Sequence, residues 1–517
     1  MKNKIFIGII AAIFAAILIF EYNLNDKYQQ QPPSKKWSKE VSVADTKSST
    51  CPDIIRTDSG SIIVYQDGNK IKAAELDKAG KIKASKSFNA EGTFTSSVCI
   101  IKDTSNYKIA WSVINKSNYD VYILTLDNNL DEVGRRVIDN AVECKKVDAN
   151  SMIITSKDKI EFINTKYKND ISVNSSNPSL ACGTYNGSVY LIAYYNNEYF
   201  NCLTIKNGAA GAPKKIIRYT PQSFTMMLNS AIACDDKYGY ILFENRPKGA
   251  FGNLKSITFK LDGSSCSVND FNMKFIGSMF SPYTISSGNK AVFAAGAERS
   301  YARKDSQYDI IDFTLKNGEM TEYNFMSRTD DATLETAVDG DTALFLDTIG
   351  DSSYKIYLTS TDPEFRKIYN VPMQFEKVNA FYDTLTGLLN SIVYIFTTGM
   401  MWILPGFALI SIMSLFAYSM LPKKKAAVYT IIYIIVSAIK VFIVYNIYYK
   451  QYSYAMPQLL SNMPFGLCLA AAISLLCLLN GLKHYKNNPY SLPIKYFAIN
   501  ILIDSLLTQM IFVPFIA

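Results

Sequence analysis

The sequence predicts an all-β repeat domain, read as a seven-bladed β-propeller, joined to an α-helical transmembrane bundle. Three observations carry that prediction. Apolar residues concentrate at 5–20 and 387–517, whereas residues 21–386 are polar and rich in turn signals. No stretch within that polar region keeps the apolar period of a helix for long. Strand-like runs instead alternate with turns, and a unit of four such runs recurs seven times between about 51 and 375.

The first element is the run Ile5 to Phe20, which follows the basic start Lys2-Asn3-Lys4. It is short for a span, yet it ends Ile17-Leu18-Ile19-Phe20 without a small-x-small cleavage pattern, so residues 1–21 are read as an uncleaved signal-anchor helix. Residues 22–50, with Gln29-Gln30-Gln31-Pro32-Pro33, are expected to be a polar linker.

Each repeat opens with a small residue: Cys51, Cys99, Cys144, Cys182 and Cys234, then Ile285 and Val338 as degenerate equivalents. A strongly apolar strand follows, for example Ile62-Ile63-Val64-Tyr65, Ile109-Ala110-Trp111 or Tyr240-Ile241-Leu242-Phe243. Turns such as Leu261-Asp262-Gly263 and Lys316-Asn317-Gly318 close the third strand. A spacing of roughly 46 residues suits a four-stranded blade and is too short for a sandwich of about 100 residues. Three tandem sandwiches are the competing arrangement. Pairing of Val41-Ser42-Val43 with the last blade would close the ring. The repeated cysteines are read as small core residues at blade junctions, with disulfides as the alternative; the odd number before the helices, seven, favours packing.

The final element, 384–517, is expected to be a membrane domain of about four helices. Ala426–Tyr449, Ser461–Leu482 and Ile494–Ala517 are each long enough to span alone. Leu388–Leu421 is read as one kinked span around Leu404-Pro405-Gly406, because a hairpin there would put Lys423-Lys424-Lys425 outside. With five spans, Lys2 and Lys4, Lys423 to Lys425, and Lys483 with Lys486 all fall on the cytoplasmic side. The expected location is therefore a plasma membrane, with the N-terminus cytoplasmic and the large domain and C-terminus outside.

Composition narrows function. The charge of +8 arises from lysine spread along the chain, which fits solvated surfaces and cytoplasmic flanks better than nucleic-acid binding. The lysine-, isoleucine- and asparagine-rich composition suggests an AT-rich bacterial genome. The single histidine, His484, lies between two membrane helices, so a histidine triad, base or zinc site is excluded from the β domain. Asp339-Gly340-Asp341 lacks the remaining ligand spacing of a calcium loop and reads as a solvated turn. No cofactor motif is present.

Two sets of residues are candidates for function. Loops joining second to third strands gather on one propeller face. There, Tyr194, Tyr195 and Tyr199 of unit four, Arg246 and Phe251 of unit five, and Arg299, Tyr301 and Arg303 of unit six form a candidate ligand-binding set. Planar aromatics beside guanidinium groups suit sugars, anionic polymers or proteins; exposed hairpin decoration is the plain alternative. In the last helix Asn500, Asp504 and Thr508 share one face, and Lys440 lies at a depth that lets it reach Asp504. These four line a solute path or act as glue between helices.

The expectation is a non-enzymatic binding or recognition protein of the cell envelope, the propeller taking a protein or glycan partner and the helices coupling it to the lipid bilayer or to a membrane-protein partner. A small transporter or channel component using Lys440 and Asp504 is the alternative. An extracellular glycan hydrolase, which needs only two carboxylates, is the second.

Overall fold

The computed structural model describes the whole chain except residues 1, 116–117, 157, 174–178, 222–224, 248–251, 274–275, 286, 300–306, 330–331, 351, 417–420, 454–455, 488–491 and 517. It divides into two compact units, one of β-sheets and one of helices.

The β unit is a seven-bladed propeller made of seven separate antiparallel sheets. Blade 1 is Asp53–Thr57, Gly60–Asp67, Lys70–Asp77 and Ile82–Asn89, counted from the axis outward. Blades 2 to 6 occupy 93–139, 141–172, 179–218, 225–270 and 276–325. Blade 7 takes three strands from 332–360, and its outermost strand is Val41–Thr46, paired antiparallel to Tyr354–Ser360. The segment before the first repeat and the end of the last are thus closed by one ladder, which removes the junction where a ring could open.

The strand period explains how the blades stack. Successive side chains point to opposite sheet faces, and here both faces are buried. In blade 1, Ile55, Ile62 and Val64 face blade 2, while Ile54, Ile63 and Ala74 face blade 7. The same division recurs at every junction, giving seven apolar clusters for seven interfaces. Near-continuous apolar second strands, rather than alternating ones, follow from this two-sided burial. Trp111, fully buried at the junction of blades 1 and 2, donates its indole N–H to Ala90 O at 3.0 Å.

The polar stretch 22–50 differs from a linker. Residues 22–29 continue the first helix, and Trp37 is 2% exposed between blades 6 and 7, its Nε1 on Asp312 Oδ2 at 3.0 Å. A lone tryptophan in a polar segment was the available signal. The repeat register also shifts. Cys99, Cys144 and Cys182 sit inside their inner strands, whereas Cys234, Ile285 and Val338 lie at or next to the strand ends. All nine cysteines are free thiols.

Among the described residues the helical unit has five helices long and apolar enough to cross a membrane: Phe6–Gln29, Gln374–Phe416, Lys423–Tyr452, Met463–Asn487 and Pro493–Phe515. The second begins about ten residues before the expected boundary at 384 and continues past Pro405. Asn25 of the first helix donates to Thr384 Oγ1 at 2.8 Å, and Gln29 to Asp383 at 2.7 Å, which explains why polar residues follow the apolar run. Two short π-helical segments, Ile395–Gly399 and Val444–Tyr449, interrupt the second and third helices.

One junction is held by charge. Asp235 at the end of blade 5's inner strand accepts from Tyr240 OH at 2.7 Å and from the N–H groups of Lys237, Tyr238 and Asn317. Burial acts to raise this carboxyl, but the four hydrogen bonds outweigh it and hold it below its ordinary value. A depressed carboxyl contributes stability above its unfolded pKa of about 3.9, and that stability is lost as pH falls through the folded value. Asp235→Asn is expected to cost about 1.5–3 kcal/mol at pH 7. In urea titrations of the full chain, the gap to the native sequence should narrow below about pH 4.

Candidate functional site

The inner strand of each blade pairs on one side only, so its other edge faces the propeller axis. Unpaired backbone groups there need partners, and this chain supplies side chains from neighbouring blades. Asp53 accepts from Ile54 N and, across the junction, from Ile100 N, both at 2.8 Å. Lys146 of blade 3 reaches past blade 2 to lie 3.4 Å from Asp53 Oδ1 and donates to Ile54 O. Lys145 donates to Leu180 O at 2.7 Å, and Ser230 Oγ to the same oxygen at 2.6 Å. Thr284 Oγ1 both accepts from Ile232 N and donates to Ile232 O.

These side chains enclose an axial cavity of about 120 Å³. All seven blades contribute to its wall, including Asp53, Lys145, Lys146, Asn229, Ser281 and Glu335. β-Bulges turn several of them inward, since an extra residue on one strand re-aims its side chain. Asn229 and Ser281 sit at such bulges, and both have positive φ, +33° and +47°. Left-handed backbone at non-glycine residues is strained by about 1–3 kcal/mol each and concentrates at functional sites. Asn229 Nδ2 donates to Ser281 Oγ at 3.2 Å. Ser281 N in turn donates to Glu244 Oε2 at 3.1 Å, and Glu244, wholly buried, holds Arg246 Nε at 2.6 Å. The guanidinium of Arg246 is therefore anchored beside the cavity wall with its far side exposed.

Burial dominates the electrostatics of the cavity wall. Burial pushes the Asp53 carboxyl up, against the pull of Lys146 and two N–H groups. Burial also raises Glu335, while the Cys51 thiol beside it acts in the other direction. Burial drives the Cys182 thiol up to about 12, and the Cys51 thiol well above its ordinary value. Thiolates are scarce at neutral pH under such conditions. Among the described residues, no group of three or more His, Cys, Asp or Glu side chains is placed to hold a metal.

The rim residues expected from sequence meet different fates. Tyr194 and Tyr195 are buried strand residues on opposite faces of blade 4, packed against blades 3 and 5, with Tyr195 OH on Tyr219 O at 2.9 Å. Tyr199 is partly exposed, and Lys215 lies 4.5 Å from its ring centroid. Arg246 adjoins the cavity as described. Arg299 lies 4.0 Å over the Phe325 ring and 3.6 Å from buried Asp309. Phe251, Tyr301 and Arg303 lie outside the described residues.

Sequence reasoning missed Asp53, Lys145, Lys146 and Glu335. A signal existed: Glu143-Cys144-Lys145-Lys146 occupies the inner-strand place where blade 2 has Val98-Cys99-Ile100-Ile101.

In the helical unit the four expected polar residues lie close together. Lys440 Nζ donates to Asp504 Oδ1 at 2.7 Å, to Ala470 O at 2.7 Å and to Thr508 Oγ1 at 3.2 Å. Ser474 Oγ lies 3.1–3.2 Å from both Asp504 oxygens. One turn away, Asn500 accepts from Asn480 Nδ2 at 2.9 Å.

No family model and no curated protein matches this chain. Among solved structures it is similar to the β-propeller domain of the Trilobed protease from Pyrococcus furiosus, at 9% identity over 50% of this chain and 81% of that one, with a TM-score of 0.33. It is similar also to the Cps50 β-propeller domain of Myceliophteria thermophila, at 7% identity over 61% and 98%, with a TM-score of 0.37. A third likeness is to polysaccharide lyase Uly1, at 7% identity over 61% and 91%, with a TM-score of 0.40. None of these likenesses bears on more than the fold.

The Asp53–Lys146 clasp ties three inner strands together, and breaking one side strands a buried charge. Asp53→Ala is expected to destabilise the propeller by about 3–5 kcal/mol, read as a lower urea midpoint by circular dichroism of the full chain in detergent. A midpoint unchanged from the native sequence would show the clasp to be dispensable.

Proposed function

We propose that this chain is a membrane-anchored binding protein of the cell envelope. The propeller lies outside the cytoplasm and takes a protein or glycan partner at the mouth of its axial cavity. The helical unit spans the lipid bilayer as five helices and couples the bound partner to other membrane components. The observation that carries the binding half is the cavity wall itself: Asp53, Lys145 and Lys146, from different blades and each hydrogen-bonded to a buried partner, converge on one small cavity with Glu335, and Arg246 is anchored beside it. Fixed charges cost little to order when a ligand arrives, which is how affinity is gained from preorganisation. Mixed charge with hydroxyl and amide groups suits a hydroxyl-rich or zwitterionic ligand surface better than a polyanion.

The membrane half rests on helix length and on charge. Lys423, Lys424 and Lys425 precede the third span, and Lys483 and Lys486 end the fourth, so both clusters fall on one side when all five helices cross. In this reading the propeller is on the opposite side from the N-terminus.

Binding is tested with the full chain in nanodiscs, applied to a glycan array and to photo-crosslinking capture from native membranes. Arg246→Ala is expected to weaken the ligand so found at least tenfold, because it removes a fixed charge without touching the cavity's backbone ladder. Trypsin should degrade the propeller in right-side-out vesicles and spare it in inverted ones. Binding indifferent to both Arg246→Ala and Lys145→Ala would remove the cavity mouth from the account; the reverse protease pattern would overturn the orientation.

A further inference from the structure

The interior of the helical unit holds a series of buried polar side chains. On the third helix Tyr429, Tyr433, Lys440 and Tyr448 are all at most 1% exposed. From Tyr429 to Tyr448 the helix rises about 28 Å at 1.5 Å per residue, close to the ~30 Å thickness of a hydrocarbon core. Lys440 lies roughly midway. The fifth helix sets Asn500, Asp504, Ser505, Thr508 and Gln509 in the same interior, each at most 1% exposed.

These groups form three hydrogen-bonded clusters that follow one another in a file along the helices. Tyr429 and Tyr485 pack with ring centroids 5.1 Å apart at one end, beside Tyr433 and the Asn480–Asn500 pair. Ser474, Asp504, Lys440 and Thr508 follow in the middle. At the other end Gln509 bonds the Tyr448 hydroxyl and donates to Thr398 Oγ1 at 2.9 Å, and Thr398 and Tyr448 are 2.9 Å apart. Thr398 and Tyr448 belong to the two π-helical segments, which therefore meet at this point. π-Segments inside helices occur frequently at functional sites.

A second observation separates this file from simple glue. The indole N–H of Trp402 and the hydroxyls of Tyr485 and Ser505 are buried yet have no hydrogen-bond partner among the described residues. Glue is self-satisfied; groups left over in an interior call for internal water. Ionisable residues at mid-membrane depth, in a file of polar groups some of which lack a protein partner, are the pattern of a proton relay.

We propose that the helical unit conducts protons across the membrane along this file, with Lys440 and Asp504 as its central exchange point. At rest the ammonium of Lys440 holds a proton and the carboxylate of Asp504 does not. A proton arriving from one side binds Asp504 and leaves the ammonium without its counter-charge in an apolar interior, which favours release of its own proton to the other side. Transfer from the Asp504 carboxyl to the Lys440 amine restores the pair. One proton enters, one leaves, and no other reactant is consumed.

The inference rests on the reading that the helices span a bilayer, and the experiment separates the two. The full chain is reconstituted into liposomes holding a pH-sensitive dye, and a valinomycin–potassium gradient makes the interior negative. Flotation and alkaline carbonate extraction report insertion: a chain released by carbonate sinks the spanning reading itself. For an inserted chain, acidification several times faster than in protein-free vesicles is expected. Asp504→Asn should return it to the protein-free rate, and Tyr433→Phe and Ser505→Ala, which leave the ion pair intact, should slow it severalfold. Acidification at the protein-free rate in an inserted chain overturns the proposal, as does full conduction in folded Asp504→Asn. If Asp504→Asn does not fold, unchanged conduction in both hydroxyl variants overturns it.

Discussion

The propeller depends on one constraint: every blade presents a half-paired strand to the axis, and seven such edges converge where there is no room for another strand. Buried backbone donors and acceptors cannot be left without partners. Here they are met by side chains that cross blade junctions, Asp53 to Ile100 N, Lys146 to Ile54 O, and Lys145 and Ser230 to Leu180 O. The same groups that satisfy the edges also line the cavity. Structural need and the character of the cavity wall are therefore carried by one set of atoms.

The helical unit solves the opposite problem with related means. Its surface is apolar and its interior partly polar, so the cost of burying Lys440 is offset by filling all three of its donors, one with Asp504. Buried ion pairs are weak evidence for stability, because desolvation consumes most of the attraction. The pair stands among buried polar side chains of the third and fifth helices, from Tyr433 to Gln509.

How far this was legible from sequence differs by element. Two-sided burial makes the second strands nearly continuous apolar runs, which mark the blades well. It also erases the alternation that would mark register, so sequence aligns Cys234, Ile285 and Val338 with Cys99 although they lie at or next to strand ends and Cys99 lies within its strand. Tyr194 and Tyr195 looked like loop residues because they adjoin Asn196-Asn197, but the turn begins after them and both rings pack inward. Lys440 and Asp504 could be paired because helical rise converts position into depth along a single axis.

By itself the sequence determined the repeat number, the division into β and helical parts, the helices able to cross a membrane, and the absence of histidine chemistry from the propeller. Each follows from local period or composition. Only the tertiary structure decided that Asp53, Lys145, Lys146 and Glu335 share one cavity, that Trp37 closes a blade junction, and that two π-segments meet at Gln509. These contacts join residues up to hundreds of positions apart, and bulges, which no period records, set the direction in which the cavity side chains point.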